Sequence, residues 1–556
     1  MLKSNDDFIN VSSHLERMAE IQPYKRAVVY PVSRDKNGRI AYAHLTFLQL
    51  ERESDRIAHG LNKAGINQGT RTVLMVKPGA DFFSLAFALF KTGAIPVVVD
   101  PGMGVKRMLS CLKSTRPEAF IGIPIAHVLR TLFPGYFKTV KIWITVGRRL
   151  FWGGHTLDII KTGASDSYPR VMTKRNDTAA ILFTTGSTGP AKGAIYTHGN
   201  FDAQVSQIKE HFRIGADEID LPTFPLFALF DPAIGMTAVI PDMDPTKPAH
   251  VNPEKIIEAI INQDVTNMFA SPALLNRVGR YGKKREIKLP SLKRVVSAGA
   301  PVSLSNIKCF SSMLQENAEI HTPYGATEAV PVISIGSREI LSETGRLSEQ
   351  GHGICVGTSL KGIEARIIRI SDDPLEKWSD NIIVPDGEAG EITVRGDLVT
   401  RQYFENPEAD ALSKIKDGNF TWHRMGDLGR KDEKRRIWFL GRKSHRVITS
   451  NGTLFTIPCE AIFNNHPEVF RSALVGIGEK PNQVPVICIE PEHGTNPDKT
   501  KLAKELLEIA AEHELTKDIK TILFHKSFPV DIRHNSKIFR EKLTVWAEKK
   551  IKRRDG

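Results

Sequence analysis

Apolar and polar positions recur along the chain with two distinct periods. Between residues 46 and 61, Leu50, Ser54, Ile57 and Leu61 fall 4, 3 and 4 apart, the spacing of one helical face. Thr46 and Gln49 supply the hydroxyl and amide of a capping box, so the helix is predicted to begin there. The run TVLMV follows at 72–76, then a helical stretch from Asp81 to Gly93, then PVVVD at 96–100. Strand, helix and strand in that order predict a βαβ unit and a parallel sheet. KIWITVG at 141–147, AAILF at 179–183 and RIWFLG at 436–441 add further strands, and the whole reads as an α/β fold of layered sheets and helices. Around 380–445 the texture changes to short strands and turns, with the charged run after GDLG predicted as a β-turn ahead of RIWFLG.

Composition narrows the class. A chain of 556 residues exceeds one compact domain, and 41% hydrophobic with 25% charged residues is globular. The expected division is a large N-terminal domain over 1–441 and a small, mobile α+β domain over 442–556. Cys111, Cys309, Cys355, Cys459 and Cys488 are scattered and form no C-x-x-C, which excludes a disulfide framework or a structural zinc site. The N-terminus has no apolar signal region and no run of 18 uncharged apolar residues occurs, so a soluble cytoplasmic protein is expected. The net charge of +13 is spread along the chain apart from the tail EKKIKRRDG, without a nucleic-acid motif. The expectation is a solvated basic surface, no nucleic-acid partner and at most peripheral membrane contact.

Candidate chemistry begins at TTGSTGPAKG, residues 184–193. A Walker A loop requires Gly, four residues, then Gly-Lys-Ser/Thr. Counted from Gly186, Ala191 occupies the second Gly position and Gly193 the hydroxyl position, so this is not a P-loop. Its composition still suits phosphate. Glycines admit close backbone approach, and Thr184, Thr185, Ser187 and Thr188 add donors.

Four further stretches follow in order: SAGAP at 297–301, YGATE at 324–328, GDLG at 426–429 with Gly441-Arg442, and a lysine within FPVDIRHNSKIFREKL at 528–543. Together the five resemble the adenylate-forming superfamily of acyl-CoA synthetases, luciferases and peptide-synthetase adenylation domains, over nearly the whole chain. The resemblance implies ATP and Mg²⁺ as cofactors. By it, Thr184, Thr185, Gly186, Ser187, Thr188, Gly189 and Lys192 would hold the β- and γ-phosphates and release pyrophosphate. Ala298, Gly299, Ala300 and Pro301 would line the adenine, with Tyr324 stacked near it and Gly325 beside it. Thr327 would bond the α-phosphate and Glu328 would hold Mg²⁺. Asp427 would accept both ribose hydroxyls and Arg442 would reach the ribose from the domain junction. Lys537 would be the mobile catalytic lysine that meets the carboxylate and α-phosphate.

Departures from the family pattern carry information. In GRKSHRVITSNG, Ser444 stands where acyl-CoA synthetases commonly carry the hinge acid, and Thr449 replaces a lysine near the pantetheine tunnel. Ser536 replaces the usual Gly before Lys537, and Phe227-Ala228 stands where Phe-His is usual at the acyl pocket. LPTFPLFALFDPAIGMTAVIPDMDP, VGRRLFWGG and DIRHNSKIFREKLTVWA resemble one branch, the bacterial β-lactone synthetases of long-chain olefin biosynthesis. That resemblance implies conversion of a 2-alkyl-3-hydroxy fatty acid to a β-lactone, AMP and pyrophosphate, with the β-hydroxyl as internal nucleophile. Phe224, Phe227, Ala228, Leu229 and Phe230 would then line the alkyl-chain pocket, or else pack as plain core around a strand. His534 is either a general base or a structural histidine. An AMP-forming medium- or long-chain acyl-CoA synthetase and a non-catalytic nucleotide-binding assembly subunit are the alternatives. An assembly with an α/β-hydrolase that decarboxylates the β-lactone and with a reductase is implied by the same resemblance.

Overall fold

The computed structural model describes residues 8–183, 191–492, 494, 497–530 and 538–555. The helix predicted from the 4-3-4 spacing is present as Phe47–Lys63, entered through the Thr46–Gln49 capping box. Leu50, Ser54, Ile57 and Leu61 are fully buried on it.

Two seven-stranded sheets form the body of the chain. The first contains Arg71–Met75 and Ile95–Val98, paired in parallel as the βαβ reading requires, flanked by Ala119–Gly122 and Thr178–Phe183. The antiparallel strand Gly193–Thr197 closes one edge. The second sheet runs Glu319–His321, Arg294–Ser297, Asn267–Ala270, Ile219–Pro222, Thr237–Val239, Arg26–Arg34, Ile40–Thr46, parallel except for its last pair. Helix Ala80–Lys91 is buried on every face from Phe82 onward, as a helix must be when sheets lie on both sides of it. One hydrophobic cluster accordingly joins Phe83 and Phe87 to Val28 and Ala238 of the second sheet and to Leu74 and Ile121 of the first.

Lys91 ends that helix almost fully buried. Its ammonium lies 2.6 Å from Asp55 Oδ1 and 2.7 Å from Glu51 Oε1, both on the neighbouring helix. Burial raises the proton affinity of both carboxyl groups, opposed by the lysine charge.

An eight-stranded, mainly antiparallel sheet follows, the short-strand region expected around 380–445. Its strands Phe420–Lys431 and Ile437–Arg442 are joined at Asp432–Arg435, where the Arg435 N–H donates to the Asp432 carbonyl at 2.9 Å. Beyond Arg442 come a two-stranded hairpin, Val447–Thr449 with Gly452–Leu454, and a separate three-stranded sheet, Val469–Ile477, Val484–Pro491 and Thr521–Phe524. The helices Thr456–Asn464, Lys499–Glu512 and Arg540–Asp555 belong to this last part.

Candidate active site

Parallel sheets place ligands beyond the carboxyl ends of their strands. Three such ends feed the site. Thr178–Phe183 ends at the cavity-lining Phe183, Arg294–Ser297 leads into Ala298 and Gly299, and Ile219–Pro222 into Phe224 and Phe227. A cavity of about 1690 Å³ opens there, lined in part by Lys192, Ala298, Gly299, Gly325, Thr327, Glu328 and Arg442. Gly299 has φ +96°, a left-handed conformation that favours glycine. A Cβ on Gly325 would stand 2.5 Å from the Ala329 carbonyl oxygen, so this position requires glycine for close backbone approach.

Thr327 and Glu328 form the tip of a β-hairpin. Tyr324–Ala326 pairs antiparallel with Ala329–Ser334, with Ala326 opposite Ala329. The tip is tied down from three sides. Tyr196 Oη donates to the Thr327 carbonyl, the Thr400 N–H donates to the Glu328 carbonyl at 2.9 Å, and Gln204 Nε2 donates to the Val330 carbonyl at 2.7 Å. The Glu328 carboxylate is itself held, since Tyr403 Oη donates to its Oε1 at 2.6 Å. Burial and the adjacent Glu328 charge push the Tyr403 phenol upward, so it remains a donor throughout the working pH range. The Lys192 ammonium stands 5.1 Å from the centre of the Tyr403 ring and that of Lys414 5.5 Å, on the same aromatic. Lys414 is buried and brought down to about 8 by desolvation, against the pull of Glu328 and Asp410. His423 lines the cavity and is kept neutral by burial, with Lys414 adding to the effect.

Asp427 and Arg442 are cross-strand partners. Arg442 Nη1 lies 3.1 Å from Asp427 Oδ1, and Tyr324 Oη donates to Asp427 Oδ2 at 2.7 Å. Desolvation raises the Asp427 carboxyl while Arg442 and Tyr324 hold it down. Tyr324 is thus turned toward Asp427, with its ring centre 6.3 Å from that of Phe439.

Apolar side chains line the remainder. Phe227 stacks on Phe269 at 4.3 Å, its centroid 5.6 Å from Phe224, and Leu229 and Phe230 also face the cavity. Ala228 departs from the sequence expectation. It is 1% exposed, packed in the core cluster behind the wall, because the short helix Pro225–Ala228 turns it inward. Ala300, Pro301, Tyr324 and Asp427 are likewise outside the cavity lining, although Tyr324 and Asp427 join it through Arg442. Thr184, Thr185, Gly186, Ser187, Thr188, Gly189, His534 and Lys537 lie outside the described residues.

The AMP-binding enzyme family matches residues 15–404. The chain belongs to that family. It is 45% identical over 98% of its length to an olefin beta-lactone synthetase of Stenotrophomonas maltophilia, covering 99% of that protein. It is 44% identical to an olefin beta-lactone synthetase of Xanthomonas campestris, over 97% of each chain. Among solved structures, an anthranilate CoA ligase in complex with anthranoyl-AMP superposes with a TM-score of 0.78 at 18% identity, over 97% of this chain and 98% of that one. The adenylate-forming fold expected from the motifs is therefore present.

Sequence reasoning did not find Tyr403, Tyr196, Lys414 or His423 at this site. Tyr403 lies 75 positions from Glu328, within RQYFENPEAD, where the local pattern reports only the approach to a helix capped by Asn406. Ser444, singled out as a departure, lines the cavity. Thr449 instead closes a hairpin turn, its hydroxyl donating to the Gly452 carbonyl at 3.0 Å.

Proposed function

We propose that this protein activates a 2-alkyl-3-hydroxy fatty acid with ATP and closes it to a β-lactone, releasing AMP and pyrophosphate. The observation that carries the reading is the end-to-end identity of 45% to an olefin beta-lactone synthetase. It is joined by a cavity that runs continuously from Glu328 and Arg442 to an apolar interior.

In the first step a carboxylate oxygen of the acid attacks the α-phosphorus of ATP and the α–β phosphoanhydride bond breaks. Lys192, beside Tyr403 and Glu328, is assigned to the phosphates, together with residues 184–189. Arg442 and Asp427 are assigned to the ribose. Their mutual ion pair pre-orients an acceptor-only carboxylate toward two O–H donors. Thr327 is assigned to the α-phosphate, at a hairpin tip whose backbone is fixed on both carbonyls. Lys537 is assigned to the carboxylate undergoing activation. The division into a large part ending at Gly441 and a small part from Arg442 onward belongs to the same proposal, since it would let the latter deliver Lys537.

Glu328 fits a magnesium ligand. One oxygen accepts from Tyr403, and among the described residues no cluster of three or more His, Cys, Asp or Glu could complete a metal site. A single carboxylate suits an ion whose other ligands are phosphate oxygens and water. Bound there, Mg²⁺ supplies charge compensation for the polyphosphate.

In the second step the β-hydroxyl oxygen attacks the acyl carbon, the acyl–phosphate bond breaks and AMP departs, with the hydroxyl proton released. Tethering spares the enzyme a second substrate, and Ser444 and Thr449 stand where an acyl-CoA synthetase commonly carries acid and lysine. Association with a β-lactone-decarboxylating hydrolase and a reductase fits a product that must be consumed.

Product mass decides the matter. Incubation with ATP, Mg²⁺ and a 2-alkyl-3-hydroxy acid yields a product lighter than the acid by one water, with or without coenzyme A. A product formed only as a thioester, and only with coenzyme A, overturns the reading. Lys537→Ala abolishes pyrophosphate release while nucleotide binding is largely kept; unchanged turnover removes Lys537 from the mechanism.

A further inference from the structure

Helix Pro124–Leu132 is amphipathic in an unusual sense. Its His127 face packs inward, with the ring stacked on Trp152 at 5.3 Å and a ring nitrogen 3.1 Å from the Ile144 carbonyl. Ile125, Val128, Leu129 and Leu132 lie at i, i+3, i+4 and i+7 on another face. Ile125 and Leu132 are 68% and 69% exposed, yet all four residues also line the cavity. Val105, at the start of helix Val105–Ser114, shares both properties, being 48% exposed and cavity-lining. Side chains that are at once solvent-facing and cavity-lining mark a mouth, so the apolar interior opens to the surface between these two helices. Phe133, 41% exposed, extends the patch beyond Leu132.

The surrounding segment is strongly basic. Residues 101–152 carry nine Lys or Arg against one acid, Glu118, a net +8 within a chain whose total is +13. Arg130 is committed to the Trp143 ring at 3.8 Å and Arg116 to Glu405. Lys106, Arg107, Lys138 and Lys141 are exposed. Asp242, which also lines the cavity, is paired with Arg34 at 3.1 Å and Lys255 at 2.8 Å.

We propose that this apolar mouth with its basic rim docks on an anionic lipid bilayer, through which the acyl substrate enters the cavity. Apolar side chains that insert at an interface, flanked by Lys and Arg, are the chemistry of a peripheral membrane contact. The nature of the cargo rests on the function proposed above; the docking rests on the patch alone. A two-chain fatty acid resides in bilayers, and a mouth seated on one lets the chains pass from lipid to cavity without crossing water.

Cosedimentation tests this with the full-length protein, no nucleotide and no substrate. The protein pellets with vesicles of phosphatidylglycerol and phosphatidylcholine at low salt, stays in solution with phosphatidylcholine alone, and is released as salt rises. The pair Lys106→Glu and Arg107→Glu weakens binding by about tenfold or more. These residues do not line the cavity, so turnover of a short, water-soluble 3-hydroxy acid is kept, which also verifies folding. The pair Ile125→Asp and Leu132→Asp likewise abolishes pelleting, with the circular dichroism spectrum retained. Failure of wild type to pellet with anionic vesicles overturns the proposal, as does equal pelleting of wild type and the charge-reversed variant. A concentration-dependent dimer lost in the Ile125/Leu132 variant, without vesicle binding, overturns it in favour of a second copy of the chain. Because vesicle binding is read without catalysis, its failure leaves the lactone reading standing, and the reverse holds.

Discussion

The Tyr403 phenol donates a 2.6 Å hydrogen bond to Oε1 of Glu328, a residue that lines the cavity. That bond fixes the carboxylate proposed above to hold Mg²⁺, and outer partners of metal ligands are commonly worth 10–100-fold in affinity or activity. Tyr403→Phe is expected to raise the Mg²⁺ concentration for half-maximal pyrophosphate release by about tenfold, with partial recovery at saturating Mg²⁺. Unaltered Mg²⁺ dependence would separate Tyr403 from the function of Glu328.

Asp427 is held by Tyr324 and Arg442 together. Asp427→Ala removes the ribose acceptor proposed above and leaves the Arg442 guanidinium without its carboxylate. Calorimetric titration with ATP should show weakening by about 2–3 kcal/mol, the range for a charged hydrogen-bond partner. Tyr324→Phe removes one donor only and is expected to cost about 1 kcal/mol in the same titration.

Lys91 bridges Glu51 and Asp55 inside the layered core. Lys91→Ala leaves two buried carboxyl groups without their cation and should destabilise folding by about 3–5 kcal/mol in urea denaturation. Lys91, Glu51 and Asp55 do not line the cavity, so turnover per folded molecule is expected to remain that of wild type.

Asp220 and Asp231 are both buried, and Asp231 Oδ2 has no hydrogen-bond partner among the described residues. Desolvation raises both carboxyl groups, Asp220 to about 7, so a proton is retained between them in the folded protein. The folded state then binds more protons than the unfolded one. The contribution of Asp220 is full below the unfolded carboxyl range near pH 4 and is lost as pH rises through about 7, whereas Asp231, raised further by the Asp220 charge, keeps its proton to higher pH. Each tenfold change in proton affinity is worth about 1.4 kcal/mol. Asp231→Asn supplies a permanent donor, so its melting temperature should fall less than that of wild type as pH rises beyond the Asp220 range and Asp231 gives up its proton. Parallel curves for the two proteins would exclude the shared proton.

The capped helix Phe47–Lys63, the first βαβ unit and the turn at Asp432–Arg435 were legible because each depends on neighbours within a few positions. Hydrophobic period, cap and turn chemistry are local properties. SAGAP and YGATE were legible in the same way, the first beginning at the end of strand Arg294–Ser297 and the second forming a hairpin. Ala228 was misplaced because its side-chain direction depends on the short helix Pro225–Ala228, for which an apolar run carries no period.

By itself, then, the sequence determined the layered α/β class, the order of the motifs and the family chemistry they imply. Only the tertiary structure decided that Tyr403 orients Glu328, that Arg442 and Tyr324 share Asp427, and that Ile125 and Leu132 open the cavity to the surface. Those relations join residues 75, 15, 103 and 7 positions apart. The distant pairs are set by sheet order and strand register, which no local window contains. The last is set by what packs against each side of one helix, since an apolar face reads the same in sequence whether it meets a core or a lipid.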